Sequence, residues 1–164
     1  MFYLIEILII ITLIALNGIF AMSEFAIVSA RKMRLQQRAE KGDARAATAL
    51  DLANEPTTFL STIQVGITLV GIFAGAYGGV TIAKGLATYF TSFPSLVPYA
   101  EMLSVTLVVL AITYLTLVFG ELVPKRIALN NAENLAVSFA KPMRFLSFIA
   151  APFVFVLSHS TDLV

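Results

Sequence analysis

The sequence has no cysteine among its 164 residues and a single histidine, His159. The first absence excludes disulfides, thiolate chemistry and zinc–thiolate sites. The second argues against a histidine-based triad or a His-rich metal site. No His–Asp pair and no pair of catalytic aspartates stands in an apolar run, so the chain does not read as an enzyme. Charge is scarce: Asp, Glu, Lys and Arg make up 13% of the residues, against about 25% in soluble domains. The net charge of +1 gives no case for nucleic-acid binding. The first apolar run has neither a basic start nor an Ala-x-Ala-like cleavage site, so it reads as a signal-anchor helix.

Apolar residues are what the chain has in quantity. They form 59% of it, and the mean hydropathy is +0.89. The expectation is an all-α integral membrane protein with three transmembrane helices and cytoplasmic juxtamembrane helices. A span needs about 20 apolar residues, and the expected spans cover 3–28, 57–86 and 102–123. Arg31, Lys32, Arg34, Arg38, Lys41 and Arg45 form the main basic cluster. Positive loops lie in the cytoplasm, which places the N-terminus outside and the C-terminus inside. Residues 31–53 read as a helical hairpin near the membrane surface, with a break at Gly42-Asp43. Asp43 is the expected N-cap of a second short helix, Ala44 to Ala53. The segment 132–160 is apolar but interrupted by Lys141, Pro142, Arg144 and Pro152. Too few residues separate the two prolines to span, which favours short helices along the inner membrane surface over a fourth span.

Polar residues inside the apolar runs are the informative exceptions, because polar groups in lipid have to face protein or a hydrated cavity. The first run holds Asn17, Ser23 and Glu24. Asn17 and Glu24 are seven apart and share a helix face. The plain alternative is interhelical hydrogen bonding for Asn17 and Ser23, and pairing of Glu24 with a basic neighbour such as Lys32. In the second run Ser61, Gln64 and Thr68 make a polar stripe, again readable as helix contacts. Farther along, Gly71, Gly75 and Gly79 recur every four residues, a spacing that suits close helix packing or a dimer face.

The third run, Leu103 to Val118, has no charge and leads into Phe119-Gly120-Glu121-Leu122-Val123-Pro124-Lys125-Arg126. Pro124 has no N–H to give the carbonyl four residues back, which is that of Gly120. A free carbonyl oxygen beside a carboxylate, near the negative end of a helix dipole, is what a hard cation prefers. The alternative is a helix stop at Pro124, anchored in the headgroups by Lys125 and Arg126. Assembled between the spans, the three polar features would line a cavity with one or two carboxylates and several neutral oxygens. Such a cavity suits a small hard cation.

Three stretches carry a resemblance. They are Phe20-Ala21-Met22-Ser23-Glu24-Phe25-Ala26-Ile27-Val28-Ser29-Ala30-Arg31, Phe59-Leu60-Ser61-Thr62-Ile63-Gln64-Val65-Gly66-Ile67-Thr68-Leu69, and Gly120-Glu121-Leu122-Val123-Pro124-Lys125. Together they resemble the CNNM/CorC magnesium transporters, in the right order and over most of the chain. The resemblance implies a homodimeric transmembrane domain in the plasma (inner) membrane. It also implies cytoplasmic CBS-type domains on the same full-length chain, which the sequence ends too early, at Leu163-Val164, to include. The implied activity is Mg²⁺ export driven by Na⁺ exchange, with a dehydrated Mg²⁺ bound in an inward-facing cavity. Carried over by position, the ligands are Ser23, Ser61, Glu121 and the Gly120 carbonyl, followed by Gln64, Thr68 and Asn17. Many members have Asn where this chain has Ile67. Either Thr68 or a neighbour compensates, or the site differs in coordination or selectivity. A passive divalent-cation channel and a Mg²⁺-binding membrane sensor or scaffold are the rival readings.

Overall fold

The computed structural model describes residues 2–162, and the side chains of all of these except 2, 3, 80 and 157–162. His159 as a side chain, and Leu163 and Val164 entirely, lie outside the described residues. Among the described residues every regular element is helical. Helix α1 runs over Phe2–Ser29, α2 over Lys32–Glu40, α3 over Ala44–Asn54 and α4 over Pro56–Phe90. A short 3₁₀ turn, Val97–Tyr99, precedes α5 at Ala100–Leu117. A π turn, Val118–Leu122, joins α5 to α6 at Val123–Asn130, and α7 covers Ala132–Asp162.

Local chemistry sets several of these boundaries. Pro56 opens α4 at a first-turn position, where its missing N–H costs nothing. Gly42 takes φ 92°, the left-handed conformation that closes α2. Asp43 then caps α3, its carboxylate accepting from the N–H groups of Arg45 and Ala46. The hairpin expected over 31–53 is therefore present.

The helix stop at Pro124, the alternative reading of that stretch, is not realised; the helix continues to Asn130. The π turn widens the backbone just before the proline, so the missing N–H falls where the ladder is already re-registered. The short helices expected on either side of Pro142 and Pro152 are one continuous helix, α7, with both prolines inside it. Its packing against α1, α3 and α4 compensates the two lost backbone hydrogen bonds. By length and composition, four segments among the described residues are long and apolar enough to cross a membrane, where the sequence reading counted three. They are Leu4–Ser29, Pro56–Phe90, Val97–Asn130 and Ala132–Val156. Helices α1, α4 and α5 are apolar all round, whereas α6 and α7 are distinctly amphipathic.

The core has two parts. Ile10, Ile14, Ala74, Ala83, Val108 and Ile112 join the N-terminal half of α1 to α4 and α5. The larger part, with Phe20, Ile27, Leu35, Phe59 and Ile63 at its centre, binds α1 and α4 to α2, α3 and α7. The hairpin is fastened to α7 by Arg38 to Asn134 (3.0 Å), Arg34 to Glu133 (3.5 Å) and Arg144 to Asp51 (3.2 Å). Close helix contact inside the chain uses Gly66 and Gly78, not the Gly71/Gly75/Gly79 series. A Cβ on Gly66 would meet the Phe20 ring at 2.9 Å, and one on Gly78 would collide with the end of Ile112. A Cβ on Gly71, Gly75 or Gly79 would meet nothing within 4 Å.

Candidate cation site

The site is built where α1 crosses the π turn. Gly18 lets this happen: a Cβ there would sit 3.0 Å from the Phe119 carbonyl oxygen and 3.1 Å from Pro124 Cγ. Gly120 answers it from the other side, since its own Cβ would lie 3.2 Å from Asn17 Nδ2. Two glycines thus bring backbone against backbone. Asn17 Nδ2 donates to the Gly120 carbonyl at 3.2 Å. The Gly120 carbonyl therefore accepts from a side chain of another helix. The Asn17 residue is only 4% exposed, and its Oδ1 is buried without a hydrogen-bond partner. An unsatisfied buried acceptor costs on the order of 1–3 kcal/mol, so this oxygen is poised for a donor or a cation.

Beside it lies a polar cavity of about 160 Å³. Asn17, Ala21 and Glu24 line it from α1, Gln64 and Ile67 from α4, and Glu121 and Lys125 from the π turn and α6. Lys125 Nζ lies 2.5 Å from Glu121 Oε1 and 4.7 Å from the centroid of the Phe25 ring. Glu24 forms no ion pair with Lys32 among the described residues; it turns into the cavity instead.

Of the residues singled out from the sequence, Asn17, Gln64 and Glu121 line this cavity, and Gly120 abuts it through Asn17. Ser23, Ser61 and Thr68 are not part of its lining. Ser23 is fully buried and its Oγ donates to the Ile19 carbonyl of its own helix at 2.6 Å. Ser61 is half-buried, and Thr68 is exposed. Two charged lining residues stood outside the expected ligand set. Glu24 was signalled by its seven-residue spacing from Asn17. Lys125 was signalled by its i, i+4 spacing from Glu121.

Chemically, the cavity offers two carboxylates, two side-chain amides and one ammonium. No group of three or more His, Cys, Asp or Glu side chains gathers anywhere among the described residues. Mg²⁺ is commonly held by one or two carboxylates while keeping several of its waters, so this donor set fits a partly hydrated Mg²⁺. It equally fits a primary alkylammonium, since Lys125 already places one there.

Comparison with known proteins agrees with the sequence motifs. The chain is 52% identical over 159 residues to the UPF0053 protein sll0260 of Synechocystis, covering 97% of this chain and 36% of that protein. It is 33% identical over 161 residues to the UPF0053 protein YhdP of Bacillus subtilis, with coverage of 98% and 36%. It is 31% identical over 151 residues to the polyamine export protein of Haemophilus influenzae, with coverage of 90% and 34%. The chain thus spans about a third of the length of the curated relatives it matches. The family described as the cyclin M transmembrane N-terminal domain matches residues 8–164, and the chain belongs to that family, CNNM.

Proposed function

We propose that this domain binds Mg²⁺ and exports it, in exchange for Na⁺, as the membrane part of a longer transporter. The observation that best supports this is the meeting of Asn17, Glu24, Gln64 and Glu121, from three separate helices, around one cavity. Polar and acidic groups at membrane depth cost free energy, and their convergence is the usual mark of an ion path. Glu24 and Glu121 supply charge, and Asn17 Oδ1 and Gln64 supply neutral oxygens. Ile67 supplies none, so water completes the octahedron in its place.

The N-terminus lies outside and the C-terminus in the cytoplasm, with α1, α4 and the Val97–Asn130 segment crossing the inner membrane. Helix α7 lies along the inner surface, its amphipathic character matching an interface. Cytoplasmic CBS-type domains regulate transport, and the open face of Gly71, Gly75 and Gly79 meets a second copy in a homodimer.

A second reading is export of an organic cation. Two observations favour it: the Lys125 ammonium sits between a carboxylate and an aromatic face, and two relatives are named polyamine export proteins.

The test is flux into proteoliposomes holding the full-length protein, with and without an opposing Na⁺ gradient, for wild type and Glu121→Ala. Na⁺-dependent Mg²⁺ flux that falls at least about tenfold in the variant, a loss of ~1.4 kcal/mol, supports the exchanger. Flux that ignores Na⁺ makes the protein a passive channel. Binding without flux makes it a sensor or scaffold. Flux of 1,4-diaminobutane but not Mg²⁺ establishes the second reading.

A further inference from the structure

We infer that Lys125 is the resident counter-cation of this site, and that a cargo cation binds only by displacing its ammonium from Glu121. The inference rests on the reading of the cavity as a cation site.

Lys125 and Arg126 are adjacent, and a lysine–arginine pair at the end of a membrane helix ordinarily anchors in the headgroups. Here the two part company. Arg126 is exposed and forms no ion pair among the described residues. The Lys125 side chain is only 27% exposed and reaches inward, onto Glu121 and over Phe25. A long side chain at an interface extends its charge towards water when nothing holds it. This one is held by a carboxylate and an aromatic face, which together make a receptor for a cation.

Charge balance then sets the order of events. The cavity holds two carboxylates and one ammonium. With Lys125 on Glu121, one negative charge remains, that of Glu24. A divalent ion bound alongside that ammonium would leave the cavity positive. With Lys125 swung away, two carboxylates match a divalent ion. The flexible stem of lysine permits the swing, as a planar bidentate guanidinium pairing would not. In the cargo-free part of a transport cycle the same ammonium limits the cost of holding two carboxylates at membrane depth. Lys125 thereby weakens binding of the cargo and assists its release.

The experiment is equilibrium Mg²⁺ binding by calorimetry to the full-length protein, comparing wild type with Lys125→Met, Lys125→Gln and Lys125→Arg. Glu121→Gln defines binding elsewhere on the chain. Removing the competing charge in Lys125→Met is expected to lower Kd by about tenfold, a gain of ~1.4 kcal/mol. Lys125→Arg keeps the charge and can hold Glu121 through a bidentate pairing, so it is expected to bind no more tightly than wild type. Lys125→Gln carries the same expectation as Lys125→Met should the latter not fold. Unchanged or weaker binding in a folded Lys125→Met or Lys125→Gln, with wild type still binding more tightly than Glu121→Gln, overturns the inference alone. Identical binding by wild type and Glu121→Gln overturns the site, and the inference with it.

Discussion

The side-chain amide of Asn17 donates to the carbonyl of Gly120 at 3.2 Å, across 103 positions of sequence. This bond gives the Gly120 carbonyl a partner from another helix, and it holds in place a residue that lines the cavity together with Glu24 and Glu121. It couples a structural need to a candidate binding role in one side chain. The fold and the site are therefore tested at the same place.

Asn17→Leu keeps the side-chain volume but leaves the Gly120 carbonyl without its partner. The expected loss of stability is about 1–3 kcal/mol, the cost of a buried unsatisfied acceptor. Thermal unfolding in detergent measures it. A melting temperature equal to that of wild type would mean that the bond contributes nothing.

The glycines divide into two kinds. Gly18→Ala places a Cβ 3.0 Å from a backbone oxygen and 3.1 Å from Pro124 Cγ. Neither neighbour is a flexible side-chain end, so destabilisation of about 1–3 kcal/mol is expected. Gly75→Ala meets nothing within 4 Å, and helix propensity alone favours it by up to ~1 kcal/mol. Comparing the two melting curves checks the pair. Gly75→Leu, followed by light scattering in detergent, asks a separate question. A shift from dimer to monomer supports the proposed homodimer face, and an unchanged profile counts against it.

Asp43 gives a pH signature outside the membrane. The Ala46 N–H, with the Arg38 guanidinium and the Arg45 N–H, holds its carboxyl below its ordinary value of 3.8. A carboxyl lowered by folding stabilises the native state above its unfolded value and loses that contribution as pH falls through the folded one. Asp43→Ala is expected to be less stable than wild type near neutral pH. The gap should begin to close as the pH falls below the ordinary value of 3.8 and be lost only below the lowered folded value, where the carboxylate is protonated in both states. Melting temperatures measured across that range decide it, and a gap that does not change with pH would remove the carboxylate from the account.

Much of the architecture was legible because it depends on local composition. Apolar runs of span length give α1, α4 and α5, and Gly42-Asp43 and Pro56 mark their own boundaries. Glu121 before Pro124 identified the third wall of the cavity, and the Asn17–Glu24 spacing identified the first. The stop at Pro124, the alternative reading there, and the breaks expected at Pro142 and Pro152 were not realised. A proline removes one hydrogen bond, but a π turn or neighbouring helices decide whether the helix ends.

By itself, the sequence determined a helical membrane domain, the residues on each helix face and the family motifs, since helical period and hydropathy are properties of each segment alone. Only the tertiary structure decided which polar side chains meet. Ser23 could bond across helices or within its own, and it bonds to Ile19. Glu24 had Lys32 within reach in sequence, yet it lines the cavity with Glu121 and Lys125. The physical reason lies in the close approach at Gly18 and Gly120. Without Cβ atoms at that crossing, α1 and the π turn touch backbone to backbone, and that contact fixes which face of each helix the others see.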